Sequence, residues 1–122
     1  MTGTIGEWER EVIRCIRCGA CRSVCPVFKE TGTESTVARG KVRLIKALIR
    51  GELEAGDGIR ERMSLCLMCK TCTTYCPSGV KVDALVRAAR RHFIDKQGLS
   101  PAKRLVFRWI LKNRGVFRSA LK

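Results

Sequence analysis

A chain of 122 residues with 45% apolar and 30% charged side chains has room for one domain and a modest core, one that hides somewhat under ~70% of the unfolded surface. That apolar share excludes a disordered chain, and no stretch approaches the roughly 18 consecutive apolar residues of a membrane span. The formal charge of +14 invites a nucleic-acid reading, but it is unevenly spread, with eight Lys or Arg and no acid after Asp95.

The first segment, MTGTIGEWEREVIRC, carries three glutamates and no apolar run of signal-peptide length, so a reducing cytosolic setting is expected. CIRCGACRSVCP follows at residues 15–26. A helix is then expected with Ser35 or Thr36 at its start, Val42, Ile45, Leu48 and Ile49 on one face, and Gly51 at its end. Gly56, Asp57 and Gly58 make a turn, with Asp57 capping a short helix that carries Ile59 and Met63 towards a second motif. That motif is CLMCKTCTTYCP, at residues 66–77.

A further helix places Val82, Leu85, Val86, Ala89 and Phe93 on one face, and Arg87, Arg90 and Arg91 on others. Past Gly98, Ser100 as N-cap and Pro101 at the first helical position open a last helix. Arg104, Arg108 and Lys112 form its charged stripe; Val106 and Ile110 oppose them, and Leu105, Phe107, Trp109 and Leu111 widen the apolar side. Strand alternation is nearly absent, so an all-α fold is expected, with a domain over 1–98 and a basic amphipathic helix or docking tail over 99–122.

All eight cysteines lie in the two motifs, and an offset of 51 carries Cys15, Cys18, Cys21 and Cys25 onto Cys66, Cys69, Cys72 and Cys76. In a reducing compartment such cysteines bind metal rather than pair as disulfides. A four-cysteine zinc site uses two CxxC pairs, which predicts neither the third evenly spaced cysteine, nor the proline after the fourth, nor the second copy. CxxCxxCxxxCP is instead the run in which three cysteines ligate one 4Fe-4S cluster and the fourth ligates the other. The proline holds the fourth cysteine extended and turned away. One cluster is then expected on Cys15, Cys18, Cys21 and Cys76, the other on Cys66, Cys69, Cys72 and Cys25, close enough to exchange electrons. Eight thiolates on two such cores bring the formal charge to about +10.

Other residues carry less. Gly19 lets backbone amides approach the sulfurs, and the offset puts Lys70 at the same place in the second motif. Lys70 either raises the potential of its cluster or stands as a solvated lysine of little influence. His92 has no carboxylate or nucleophile beside it in sequence, so a catalytic role is not expected. Tyr75 and Met68 read as packing around the clusters. Neither paired carboxylates in a recognisable motif nor a nucleophile with its base occurs.

The cysteine motifs, VARGKVRLIKALIRGEL before the second and CPSGVKVDALVRAAR after it, resemble the N-terminal iron-sulfur domain of the glycolate oxidase iron-sulfur subunit and of the related lactate-utilisation and anaerobic glycerol-3-phosphate dehydrogenase subunits. More loosely, they resemble the small iron-sulfur subunit of heterodisulfide reductase. The resemblance covers about residues 10–98 and implies the α-helical ferredoxin fold with all eight cysteines as ligands. It further implies an electron relay between an FAD-containing dehydrogenase and an acceptor. In the glycolate-oxidase-like subunits a domain with CCG motifs follows; this sequence contains no CCG, so that acceptor is expected on a separate polypeptide or on a continuation of this one. The same relay in a heterodisulfide-reductase-like complex is one alternative, and a basic cluster-containing protein that binds a membrane surface or nucleic acid is another, of a different class. The tail over 99–122 suits docking to such a partner or contact with the inner face of a membrane; nucleic acid is not expected as its target.

Overall fold

A computed structural model describes residues 5–98, 100–110, 113 and 115. A 3-10 turn, Ile5–Trp8, leads into α1 (Glu9–Ile13), α2 (Ala20–Val24) and α3 (Pro26–Thr31). A second 3-10 turn, Glu34–Thr36, precedes α4 (Ala38–Ile49), and α5 (Asp57–Ser64), α6 (Thr71–Thr74) and α7 (Val82–Gln97) follow. α8 (Pro101–Leu105) runs into a π turn at Val106–Ile110. No strand occurs among the described residues, so the fold is all-α as expected.

Helical periodicity places the core. Val42 and Ile45 of α4 are buried with Leu85, Val86, Ala89 and Phe93 of α7, and Val12 of α1 and Met63 of α5 close the cluster. Full burial of a side chain of this size contributes about 1.5–3 kcal/mol, which is what holds the two cysteine loops against one another. α4 packs on both α1 and α7, while α5 packs on α7. Gly51 ends α4 in the left-handed conformation (φ +71°), its N–H donating to the Leu48 carbonyl at 3.2 Å.

Several local expectations need correction. Ser35 and Thr36 lie in the 3-10 turn, and the N-cap of α4 is Val37, with no side-chain cap. Thr36 is instead buried, its hydroxyl donating to the Thr33 carbonyl. Asp57 is the first residue of α5 and Gly56 its cap. Of the three arginines placed off the apolar face of α7, Arg87 and Arg91 are exposed and Arg90 is half-buried. Its guanidinium donates to the carbonyls of Met63, Ser64 and Cys66 at 2.6–3.0 Å. Ser100 stands at the N-cap of α8 without a capping hydrogen bond. The π turn interrupts the i, i+4 stripe after Arg104, and Leu111 and Lys112 lie outside the described residues.

Candidate iron-sulfur site

The offset of 51 that relates the cysteines also relates their backbones. Arg17 (φ +59°) corresponds to Met68 (φ +57°), and Gly19 (φ +87°) to Lys70 (φ +63°). Left-handed residues alternating with ordinary ones turn successive N–H groups into a concavity that favours anions, a geometry shared by many iron-sulfur sites. A non-glycine residue held there costs about 1–2 kcal/mol. Arg17, Met68 and Lys70 are the non-glycine residues with positive φ among those described, and all three sit between cysteines. Strain gathered in this way marks a functional loop.

Lys70→Gly therefore tests how much of this strain is backbone. It is expected to raise the midpoint of thermal cluster loss by a few degrees, for a gain of up to about 1 kcal/mol. An unchanged or lower midpoint would mean that the lysine side chain offsets its own strain.

α2 and α6, which the same offset superposes, pack against each other. Around them lie two cavities. One is lined by Cys15, Cys18, Cys21 and Cys76, the other by Cys66, Cys69, Cys72 and Cys25. Each cavity is thus walled by three cysteines of one motif and the fourth of the other, and Cys72 of the second motif reaches the first cavity as well. Cys25 takes the extended conformation (φ −86°, ψ 113°) that Pro26 demands. Ala38, Val82 and Cys72 line both cavities, so the two share a wall.

The donor set fits an iron-sulfur core. Every candidate ligand is a free thiol; Cys18 and Cys69 are exposed and the other six half-buried. Among the described residues no three Cys, His, Asp or Glu side chains are gathered as they would be on a single ion. The sulfurs stand around each cavity instead, an arrangement suited to a polynuclear core.

Hydrogen bonds reach the sulfurs: among them, Val80 N–H donates to Cys76 Sγ and the Thr71 hydroxyl to Cys69 Sγ, both at 3.4 Å. The Thr71 hydroxyl holds the Cys69 thiol below its ordinary range. Burial, reinforced by the neighbouring Cys66 and Cys69, pushes Cys72 up to about 11, and burial also raises Cys21. Loading must displace the Cys72 proton, because the ligand is the thiolate.

Sequence reasoning missed two supports and a buried cation. Arg39 donates to the Arg17 carbonyl at 3.4 Å and pairs with Glu34, whose carboxyl it holds below the usual range. Arg39 and Arg90 are themselves 51 residues apart, and each ties a helix to backbone carbonyls in or beside a cysteine motif; their shared offset was the available signal. Lys41, the buried cation, lines the second cavity. Lys70 and Met68 line it too, but Tyr75 is 62% exposed and borders neither cavity, so its packing role is withdrawn. His92 lies outside both, half-buried with its ring edge-on to Phe93 at 6.2 Å.

An all-helical chain with paired cysteine-walled cavities belongs among the iron-sulfur proteins. Residues 11–80 match the family described as a 4Fe-4S dicluster domain, and the chain belongs to that family. Among curated proteins it is 41% identical over 83 residues to the probable glycolate oxidase iron-sulfur subunit of Bacillus subtilis (strain 168), covering 67% of this chain and 19% of that one. It is 37% identical over 76 residues to the glycolate oxidase iron-sulfur subunit of Escherichia coli (strain K12), covering 62% and 18%. With lactate utilization protein B of Macrococcus caseolyticus (strain JCSC5402) it shares 30% over 107 residues, covering 85% and 22%. The chain therefore spans about a fifth of the length of these relatives. No solved structure matches.

Proposed function

We propose that the chain relays single electrons through two 4Fe-4S clusters, one on Cys15, Cys18, Cys21 and Cys76, the other on Cys66, Cys69, Cys72 and Cys25. Its donor in this reading is an FAD-containing dehydrogenase of a 2-hydroxy acid such as glycolate or lactate, or of glycerol 3-phosphate. Its acceptor is a cysteine-rich CCG-type domain or subunit. The observation that carries the reading is the pair of cysteine-walled cavities sharing Ala38, Val82 and Cys72, which supports two redox groups side by side. Bound clusters supply one-electron chemistry, and the protein supplies distance and potential. Exposed Cys18 and Cys69 bring each site to the surface, where an electron can enter or leave.

Residues 1–98 form the relay in this reading, and 99–122 the docking element. Leu105, Phe107 and Trp109 are exposed beside Lys103, Arg104 and Arg108, an amphipathic and basic surface suited to a partner or to an anionic membrane. No helix among the described residues is long and apolar enough to cross a membrane.

Anaerobic purification of the tagged chain from its own host tests the proposal, with iron, sulfide and flavin quantified and companions identified by mass. About eight irons per chain together with a flavoprotein is expected, followed by bleaching of the clusters on addition of glycolate, lactate or glycerol 3-phosphate. Eight irons with a cysteine-rich companion and no flavin would transfer the relay to a disulfide-reducing complex.

A further inference from the structure

Lys41 lies in the first half of α4, a helix whose inward face is otherwise apolar, yet it is only 2% exposed. Its neighbours in sequence and space, Val37, Ala38, Val42 and Ile45, are buried apolar residues. Its ammonium donates to the Thr36 carbonyl, and among the described residues no carboxylate forms an ion pair with it. A buried cation is retained only where something anionic faces it. The cavity it lines holds Cys25, Cys66, Cys69 and Cys72, and with them Asp83, whose carboxylate is taken up by Arg87 and the Thr73 hydroxyl. Burial draws the ammonium below the ordinary lysine range, while Cys66, Cys25 and Cys72 pull it back and Arg90 opposes them.

We infer that Lys41 is the buried counter-ion of the cluster held by Cys66, Cys69, Cys72 and Cys25, and that its charge holds that cluster's potential above the potential of the other. The inference rests on the two-cluster reading. Reduction adds one negative charge to a cluster. A positive charge fixed beside it where the effective dielectric is low stabilises the reduced form, and the potential rises. Lys70 lines the same cavity but is exposed, so water and salt screen it. Among the described residues the other cavity has no buried cation: Arg17, which lines it, is exposed, Arg39 pairs with Glu34, which also pairs with Arg22, and the 51-residue counterpart of Lys41 is His92, which lines neither cavity.

The test is an anaerobic potentiometric titration of the full loaded chain, each cluster followed by its electron paramagnetic resonance signal. The parent is compared with Lys41→Met, Lys41→Arg and Lys70→Met. Parental iron content tests the two-cluster reading; the midpoints of the variants test the role of Lys41. In Lys41→Met one midpoint is expected to fall by a tenfold change in the reduction equilibrium or more, about 59 mV for one electron. The other cluster should move much less, and Lys41→Arg and Lys70→Met should stay close to the parent.

If Lys41→Met fails to load while Lys41→Arg loads with parental midpoints, the positive charge is itself required and the assignment holds. It is overturned if Lys41→Met loads with both midpoints unmoved, if Lys41→Arg lowers the midpoint as far as methionine does, or if neither variant loads, since the site then demands the lysine's shape and not its charge.

Discussion

Cys76→Ala is expected to remove the cluster of the first motif while leaving that of its own. The variant should keep about half the parental iron and lose the same resonance signal that Cys18→Ala loses. Cys25→Ala should match Cys69→Ala instead. The reason is the proposed exchange of fourth cysteines: Cys76 lines a cavity with Cys15, Cys18 and Cys21, and Cys25 lines one with Cys66, Cys69 and Cys72. Folding and loading are coupled, because the assembled site exists only in the folded chain, so either loss should also lower thermal stability. Iron quantified per chain, with spectra of the four variants side by side, checks it. Pairing of Cys76→Ala with Cys69→Ala would show that each motif closes its own cluster. The shared Cys72 wall leaves room for that alternative, which makes the comparison decisive.

Gly40→Ala is expected to deplete the loaded protein strongly although residue 40 lines neither cysteine-walled cavity. A methyl group at Gly40 would lie 1.9 Å from the Glu34 carbonyl oxygen, 2.8 Å from the Glu34 carbonyl carbon and 3.0 Å from Ser35 Cα. All three are backbone atoms, so the 3-10 turn must be displaced bodily from α4. That turn carries the Thr36 carbonyl that receives Lys41, the Ser35 hydroxyl that receives Arg62 Nε, and the Glu34 carboxylate that pairs with Arg39.

Overpacking of this kind typically costs about 1–3 kcal/mol and more where the backbone must shift, against a total stability of about 5–15 kcal/mol. The outcome expected is a soluble yield and an iron content both well below half of the parent's. Gly56→Ala is the control: nothing lies within 4 Å of the methyl it would add, and its φ is −87°, so it should behave as the parent. A parental melting curve for Gly40→Ala would mean that the turn yields freely.

Much of the fold could be read from the residues because the signals are periodic and local. The faces carrying Val42 with Ile45, and Leu85 with Phe93, are buried, since apolar spacing of 3.6 has one solution when a single core is available. Pro26 sets the backbone of Cys25 through sterics between adjacent residues. Capping proved less legible. Ser35, Thr36 and Asp57 are good capping residues by type, yet the 3-10 turn claims the first two and Gly56 takes the cap position of α5, because tertiary packing of the turn outweighs about 1 kcal/mol of capping. Helical phase placed Arg90 only off the apolar face. The Met63 and Ser64 carbonyls at the end of α5 and that of Cys66 take their donors from Arg90, and that pairing arises only once α5 and α7 are packed.

The kind of cofactor, the candidate ligands and the repeat were all present in eight cysteines at one spacing, because coordination by neighbouring thiols is a property of short chain segments. The common wall of the two cavities, the left-handed backbone at Arg17, Met68 and Lys70, and the enclosure of Lys41 were settled by packing. Each depends on how closely α4, α7 and the cysteine loops approach one another, and a sequence pattern encodes which faces meet but not what else is trapped between them.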